Sequence, residues 1–186
     1  MTVSGIEARR QHKIAERWTE SIPPILRTDV KKERNWLSAA IEDELMGPCT
    51  VRLAAACAEA GYRSAWSVEI PWNSAQSIVD ASRLSLEAET IEKLTREVCL
   101  GSCFLLVEDD QRFAIASDGD LYWMIAGDRR FVEAAIGNTI ERQIEIFGEV
   151  ARKYSEGSSL AGPRLTAVHT ATIAAYEAYQ RSGAVP

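Results

Sequence analysis

Three short apolar runs, CFLLV, RFAIAS and LYWMIAG, fall within residues 103–127 with only EDDQ and DGD between them. Runs this short are too brief for helices that bury a face, and breaks this tight leave no length for a crossover, so the segment predicts an antiparallel meander. One break contains glycine, which accepts the positive φ of a hairpin turn.

The breaks also set a register. With Asp118-Gly119 as a two-residue loop, Ser117 pairs with Asp120, Ile115 faces Tyr122 and Ala114 faces Trp123. With Asp109-Asp110 as the other loop, Leu106 faces Phe113 and Phe104 faces Ile115. Successive side chains of a strand point to opposite faces. Phe104, Leu106, Phe113, Ile115, Tyr122 and Met124 therefore gather on a bulky face. Leu105, Ala114 and Trp123 gather on a mixed one, with Cys103, Ala116 and Leu121 beside them. A sheet apolar on both sides must be covered on both, or covered on one and used on the other.

Helical spacing surrounds this centre. Ile6, Ile14, Ala15, Trp18 and Ile22 mark an amphipathic helix over 5–22 that Pro23-Pro24 ends. A second is predicted from Asp29, with Trp36, Leu37, Ala40, Ile41 and Leu45 on one face before Gly47-Pro48. A third runs from Thr50 to Ala60 and exits at Gly61. Residues 64–70 then switch to period two, with Trp66, Val68 and Ile70 on one side, and predict a strand near an edge. Two further helices are expected over 75–84 and 87–100, the latter with Ile91, Leu94 and Val98 inward. After the meander, Asp128 caps a helix ending at Gly137, and Asn138 with Glu141 has the form of a capping box opening another to about Lys153. Residues 155–164 are predicted as a flexible connector, and a last helix spans 165–181. The fold class is α+β: a meander of three to four strands packed with six to eight helices in one domain. Its helical N-terminal part is 5–61, its sheet-containing centre 62–137 and its helical C-terminal part 138–186.

No apolar run reaches the roughly 20 residues of a membrane span, and the N-terminal stretch is charged where a secretory leader has its apolar centre. The expected location is the cytoplasm, where Cys49, Cys57, Cys99 and Cys103 stay reduced. None of the four forms a C-x-x-C pair, so they read as small buried hydrophobes rather than zinc ligands. The net charge of −6 argues against nucleic acid as a partner. Residues 1–63 hold ten basic and nine acidic side chains, 64–138 six and thirteen, and 139–186 five and five, so the acidic surplus sits in the centre.

The common hydrolase, nucleotide and zinc-protease motifs are missing from the chain. Its two histidines, His12 and His169, lie on helices far apart in sequence. Glu141, Glu145 and Glu149 share a helix face, but no Glu-x-x-His partner accompanies them, and they read as a solvated face. A calcium loop in ASDGDLYW fails on counting: twelve positions from Asp118 lead to Arg129, not to the required glutamate. Neither a metal nor a cofactor is expected.

The leading expectation is a non-catalytic binding protein. Glu108, Asp109, Asp110, Asp118 and Asp120 would rim the mixed face around Trp123 and engage a basic protein partner. In class this is similar to small interaction proteins, immunity proteins among them, although no motif carries the likeness. The alternative is a small-molecule pocket or an enzyme on the alanine-bearing face, with Trp123 as a wall and His169 or Cys103 as its chemistry. A homodimer through Trp18 or Trp36 is a third arrangement.

Overall fold

In the computed structural model, which describes residues 5–20, 25–42, 47–70, 81–97, 102–119, 121–157 and 159–182, the meander forms the middle of a larger sheet. Its strands are β6 (Cys103–Glu108), β7 (Ala114–Ser117) and β8 (Tyr122–Gly127). On one side β6 pairs with β4 (Ser64–Ile70), and β4 with the edge strand β5 (Ala81–Ser85). On the other, β8 pairs with β3 (Leu37–Glu42). Among the described residues the sheet thus has six strands, all pairs antiparallel, in the order β3-β8-β7-β6-β4-β5. That is two or three more than the sequence predicts. A separate short pair joins β1 (Thr19–Glu20) to β2 (Ile25–Leu26).

Seven helices are found among the described residues. α1 (Gly5–Trp18), α2 (Thr28–Glu33), α6 (Ile140–Glu156) and α7 (Ala161–Arg181) contribute to one apolar core, and α3 (Pro48–Glu59), α4 (Ala88–Glu97) and α5 (Arg129–Ile136) to another. The sheet lies between them. Phe104, Leu106, Phe113, Ile115, Trp123 and Ile125 meet the α3, α4 and α5 side. Leu105, Val107, Ala114, Ala116, Tyr122 and Met124 meet Trp18, Phe147, Leu165 and Val168 on the other. Both faces are therefore covered, and the central strands are buried along their whole length.

The predicted meander is present, but its register differs in an instructive way. Phe104 pairs with Ser117 rather than Ile115, a shift of two positions that leaves every β6 and β7 side chain on its predicted face. Ile115 pairs with Ile125 rather than Tyr122, a shift of three, and an odd shift exchanges the faces of β8. Trp123 thus joins the bulky face, while Tyr122 and Met124 join the alanines. The cause is the turn. Asp118 Oδ1 accepts the backbone N–H groups of Leu121 at 2.7 Å and Tyr122 at 3.2 Å, which holds a wider loop than a two-residue hairpin.

The largest correction concerns the long helix expected from Asp29. α2 stops at Glu33, Asn35 takes the left-handed conformation at φ 53°, and Trp36 N–H closes on Lys31 C=O at 2.8 Å. This is the helix-ending arrangement that Gly61 provides for α3, where Tyr62 N–H donates to Cys57 C=O at 2.8 Å. The following LSAAIE run then pairs with β8 as an edge strand. Leu37 and Ala39 enter one core while Trp36 and Ala40 enter the other, so both faces are apolar and no period-two pattern shows. α6 guards this edge, Gln143 Nε2 donating to Ala40 C=O at 2.8 Å.

Smaller departures follow the same logic. Residues 81–85, expected partly within a helix, pair with β4; residues 75–80 of that expectation lie outside the described residues, as do Ile22, Pro23, Pro24, Leu45, Val98 and Cys99. Asp128 caps α5 as predicted, accepting Phe131 N–H at 2.9 Å, but α6 is capped by Thr139 rather than Asn138. The predicted connector at 155–164 is mostly helical, since α6 runs to Glu156 and α7 begins at Ala161. α6 and α7 approach closely where they pack: a Cβ on Gly148 would stand 2.8 Å from the His169 ring.

Candidate functional site

The acidic positions picked out in the sequence are built into loops rather than offered to solvent. At the end of β6, the buried Glu108 carboxylate accepts the backbone N–H of Asp110 at 2.9 Å and of Arg112 at 3.1 Å, and pairs with the Arg112 guanidinium at 2.7 Å. Its charge therefore fastens the β6–β7 turn, in which Gln111 has φ 59°. Asp109 is clamped by Ser64 and Arg83, and that pairing holds its carboxyl below the usual range against the opposing effect of burial. Asp110 points outward, 75% exposed, with Arg112 at 3.4 Å.

At the opposite end of the meander, Asp118 is fully buried and pairs with Arg164 of α7 at 2.5 Å. Asp120 lies outside the described residues. Trp123 is 3% exposed and packs edge-on against Phe104 with ring centroids 4.7 Å apart. The expected rim is thus not assembled around Trp123. Each of its four described carboxylates faces an arginine of the same chain, one of them from a distant helix.

The residues nominated for a pocket chemistry are also separately engaged. Cys103 is fully buried, with Sγ 3.9 Å from Asp118 C=O, and desolvation followed by the Asp118 charge pushes its thiol up to about 12. Cys57 is likewise pushed up to about 12, chiefly by burial. His169 Nε2 lies 3.1 Å from Ile144 C=O. A carbonyl can only accept, so this nitrogen carries the proton. His12 pairs with Glu16 at 3.0 Å on the surface of α1. Of Glu141, Glu145 and Glu149 on α6, Glu141 is drawn into a network: Tyr176 O–H donates to it at 2.5 Å and Arg129 at 2.7 Å. No group of three or more metal-ligating side chains gathers among the described residues. No described helix is long and apolar enough to cross a membrane.

What remains open is a surface that the linear charge count conceals. α1 turns Ala15 and Trp18 into the core. Ile6, Arg10, Lys13 and Arg17 follow at i, i+4, i+7 and i+11 and so share its outer face. Beside this stripe Arg34 reaches over the ring of Trp18, its guanidinium carbon 4.5 Å from the centroid, and lies 5.2 Å from that of Trp36. It is held in place by two donations to Gln111, to the backbone oxygen at 2.8 Å and the side-chain oxygen at 2.7 Å. Together these elements enclose a groove of about 580 Å³ whose lining includes five cationic side chains and, among the described residues, no carboxylate. Ile14 and Trp18 supply its apolar floor, and Ile6, 76% exposed, stands at its open end.

Sequence reasoning missed this groove for two reasons. Residues 1–63 are nearly neutral in sum, since their acids lie largely on other elements. Arg34 and Gln111 are brought to α1 only by the end of α2 and the β6–β7 turn. The legible signal was the run ARRQHKIAER, in which cations recur with helical period. A second cavity, of about 220 Å³ between α3 and α5, includes Tyr62, Asp128 and Arg130 in its lining, but Asp128 already serves as the α5 cap.

An antiparallel sheet covered on both faces, with a cationic groove beside α1, makes this an α+β fold with a charged concave surface. No protein-family model, no curated protein and no solved structure matches the chain.

Proposed function

We propose that this chain is a binding protein without a reaction of its own, which engages a protein partner through surface charge. The observation that carries the reading is the cationic groove along α1, the largest charged concavity described above, set on a body whose other chemistry-bearing groups serve the fold. Burial keeps the Cys57 and Cys103 thiols protonated, and His169 is tied to backbone. Glu108 and Asp118 hold turns. A groove lined by arginines and a tryptophan matches the composition of protein-binding hot spots.

The basic partner expected from the central acidic surplus is the second arrangement. Asp110 favours it, being well exposed beside Asp109. Glu108, Asp118 and Trp123 would support such a surface from beneath, since all three are buried.

Photo-crosslinking in the native host tests the proposal and separates the two surfaces. A crosslinking residue at Lys13 should give a discrete protein adduct, with none from Glu149 on α6, and the captured protein should bind when purified. Adducts from Asp110 alone would move the contact surface to the β6–β7 turn. A rise in melting temperature with a metabolite, and no adduct from either position, would overturn the binding reading.

A further inference from the structure

We propose that the α1 groove receives an acidic amphipathic helix of a partner protein, its carboxylates on Arg10, Lys13 and Arg17 and its apolar side chains on Ile6 and Ile14. This rests on the binding reading above and names the chemistry of its occupant. Charge complementarity comes first. Arg10 and Arg17 reach carboxylates of their own chain only loosely, at 3.6 Å each to Glu7 and Glu33, and Lys13 is exposed between them. Arg34 grips two neutral oxygens of Gln111, so those bonds supply no balancing negative charge. Burial, and next the nearby charge of Arg17, push its guanidinium down from its ordinary range. A ligand carboxylate would relieve that crowding.

Shape selects among anionic occupants. The apolar floor is recessed: Trp18 is buried and Ile14 half-buried behind the cations. A flat bilayer cannot reach it, and Ile6 is a single outward apolar residue where an interfacial helix needs a whole face. A ridge of side chains on a helix can enter. At 1.5 Å per residue the stripe from Ile6 to Arg17 runs roughly 16 Å, enough to lie along about three turns of a partner helix. Nucleic acid is disfavoured because a chain of net charge −6 repels a polyanion beyond the patch.

The test uses the full chain and a fluorescent helical peptide with leucines on one face and glutamates elsewhere, compared with its glutamine-for-glutamate counterpart. Phosphatidylserine–phosphatidylcholine vesicles and single-stranded DNA serve as the other arms. The acidic peptide should bind at least about tenfold more tightly than the glutamine peptide, and should weaken about tenfold on raising salt from about 50 to 500 mM. Combined R10E, K13E and R17E should abolish binding with the circular dichroism unchanged. Ile6→Ser should weaken binding several-fold at constant charge. Equal binding of both peptides, indifference to the charge reversals, or saturable binding of vesicles or DNA in place of the peptide would overturn the proposal. If Lys13 still crosslinks a protein while the acidic peptide fails, the occupant chemistry is wrong and the binding reading stands. Failure at both removes both.

Discussion

Asp118 and Arg164 form an ion pair of 2.5 Å between the β7–β8 turn and α7, with the carboxylate fully buried and the guanidinium partly exposed. The same carboxylate accepts two backbone N–H groups of its own turn, so one side chain sets the loop width, the register of β8 and the seating of the last helix. Removing one partner of a buried pair leaves the other charge uncompensated, at a cost of about 3–5 kcal/mol. Asp118→Ala should fall in that range by urea denaturation. Arg164→Met should fall in that range too, because it strands a fully buried carboxylate even though the turn's own hydrogen bonds stay in place.

Trp123 is a core residue on the Phe104 side of the sheet. Trp123→Ala should destabilise by about 3–5 kcal/mol, and a double-mutant cycle with Phe104→Leu should show coupling of about 0.5–1.5 kcal/mol. Unfolding curves of the four proteins measure both. A cost below about 1 kcal/mol would place Trp123 at the surface instead of in the core.

The Glu141 carboxyl is held at about 2 against its ordinary 4.5, first by the Tyr176 hydroxyl and also by Arg129. A folded value below the unfolded one means that the stabilisation is complete above pH 4.5 and is lost as pH falls towards 2. Tyr176→Phe should therefore be less stable than the parent at pH 7 and approach it at low pH. Glu141 is partly exposed, so solvent screening keeps the difference small. Melting temperatures across that window check the sign.

Gly148 lets α6 and α7 close on the His169 ring. Gly148→Ala should cost about 1–3 kcal/mol by overpacking, even though alanine favours a helix. His169→Ala should suppress most of that penalty in the double variant, because the obstructing atoms are removed. Additive effects would show that the ring moves aside freely.

The centre of the sheet was legible because its three strands are consecutive: short apolar runs separated by turns admit few arrangements. The β6 and β7 faces, the α5 cap and the Gly61 and Gly137 exits were read correctly for the same local reason. The Trp123 face was not, since parity depends on loop width, and that width follows from Asp118 Oδ1 and an arginine 46 positions away. β3 was read as helix because its apolar residues satisfy both periods, and only pairing with β8 decides between them.

Local pattern therefore specified the α+β class, the meander and the helices whose caps lie within a few residues. Long-range contact specified the two edge strands, the face of β8 and the fate of the charges. Sequence arithmetic found an acidic centre, but folding joined its exposed-looking carboxylates to Arg83, Arg112 and Arg164. It left the cations of α1 lining an open groove. The physical reason is that charges interact through space: pairing depends on which side chains meet within about 4 Å, and the order of residues in the chain does not give that.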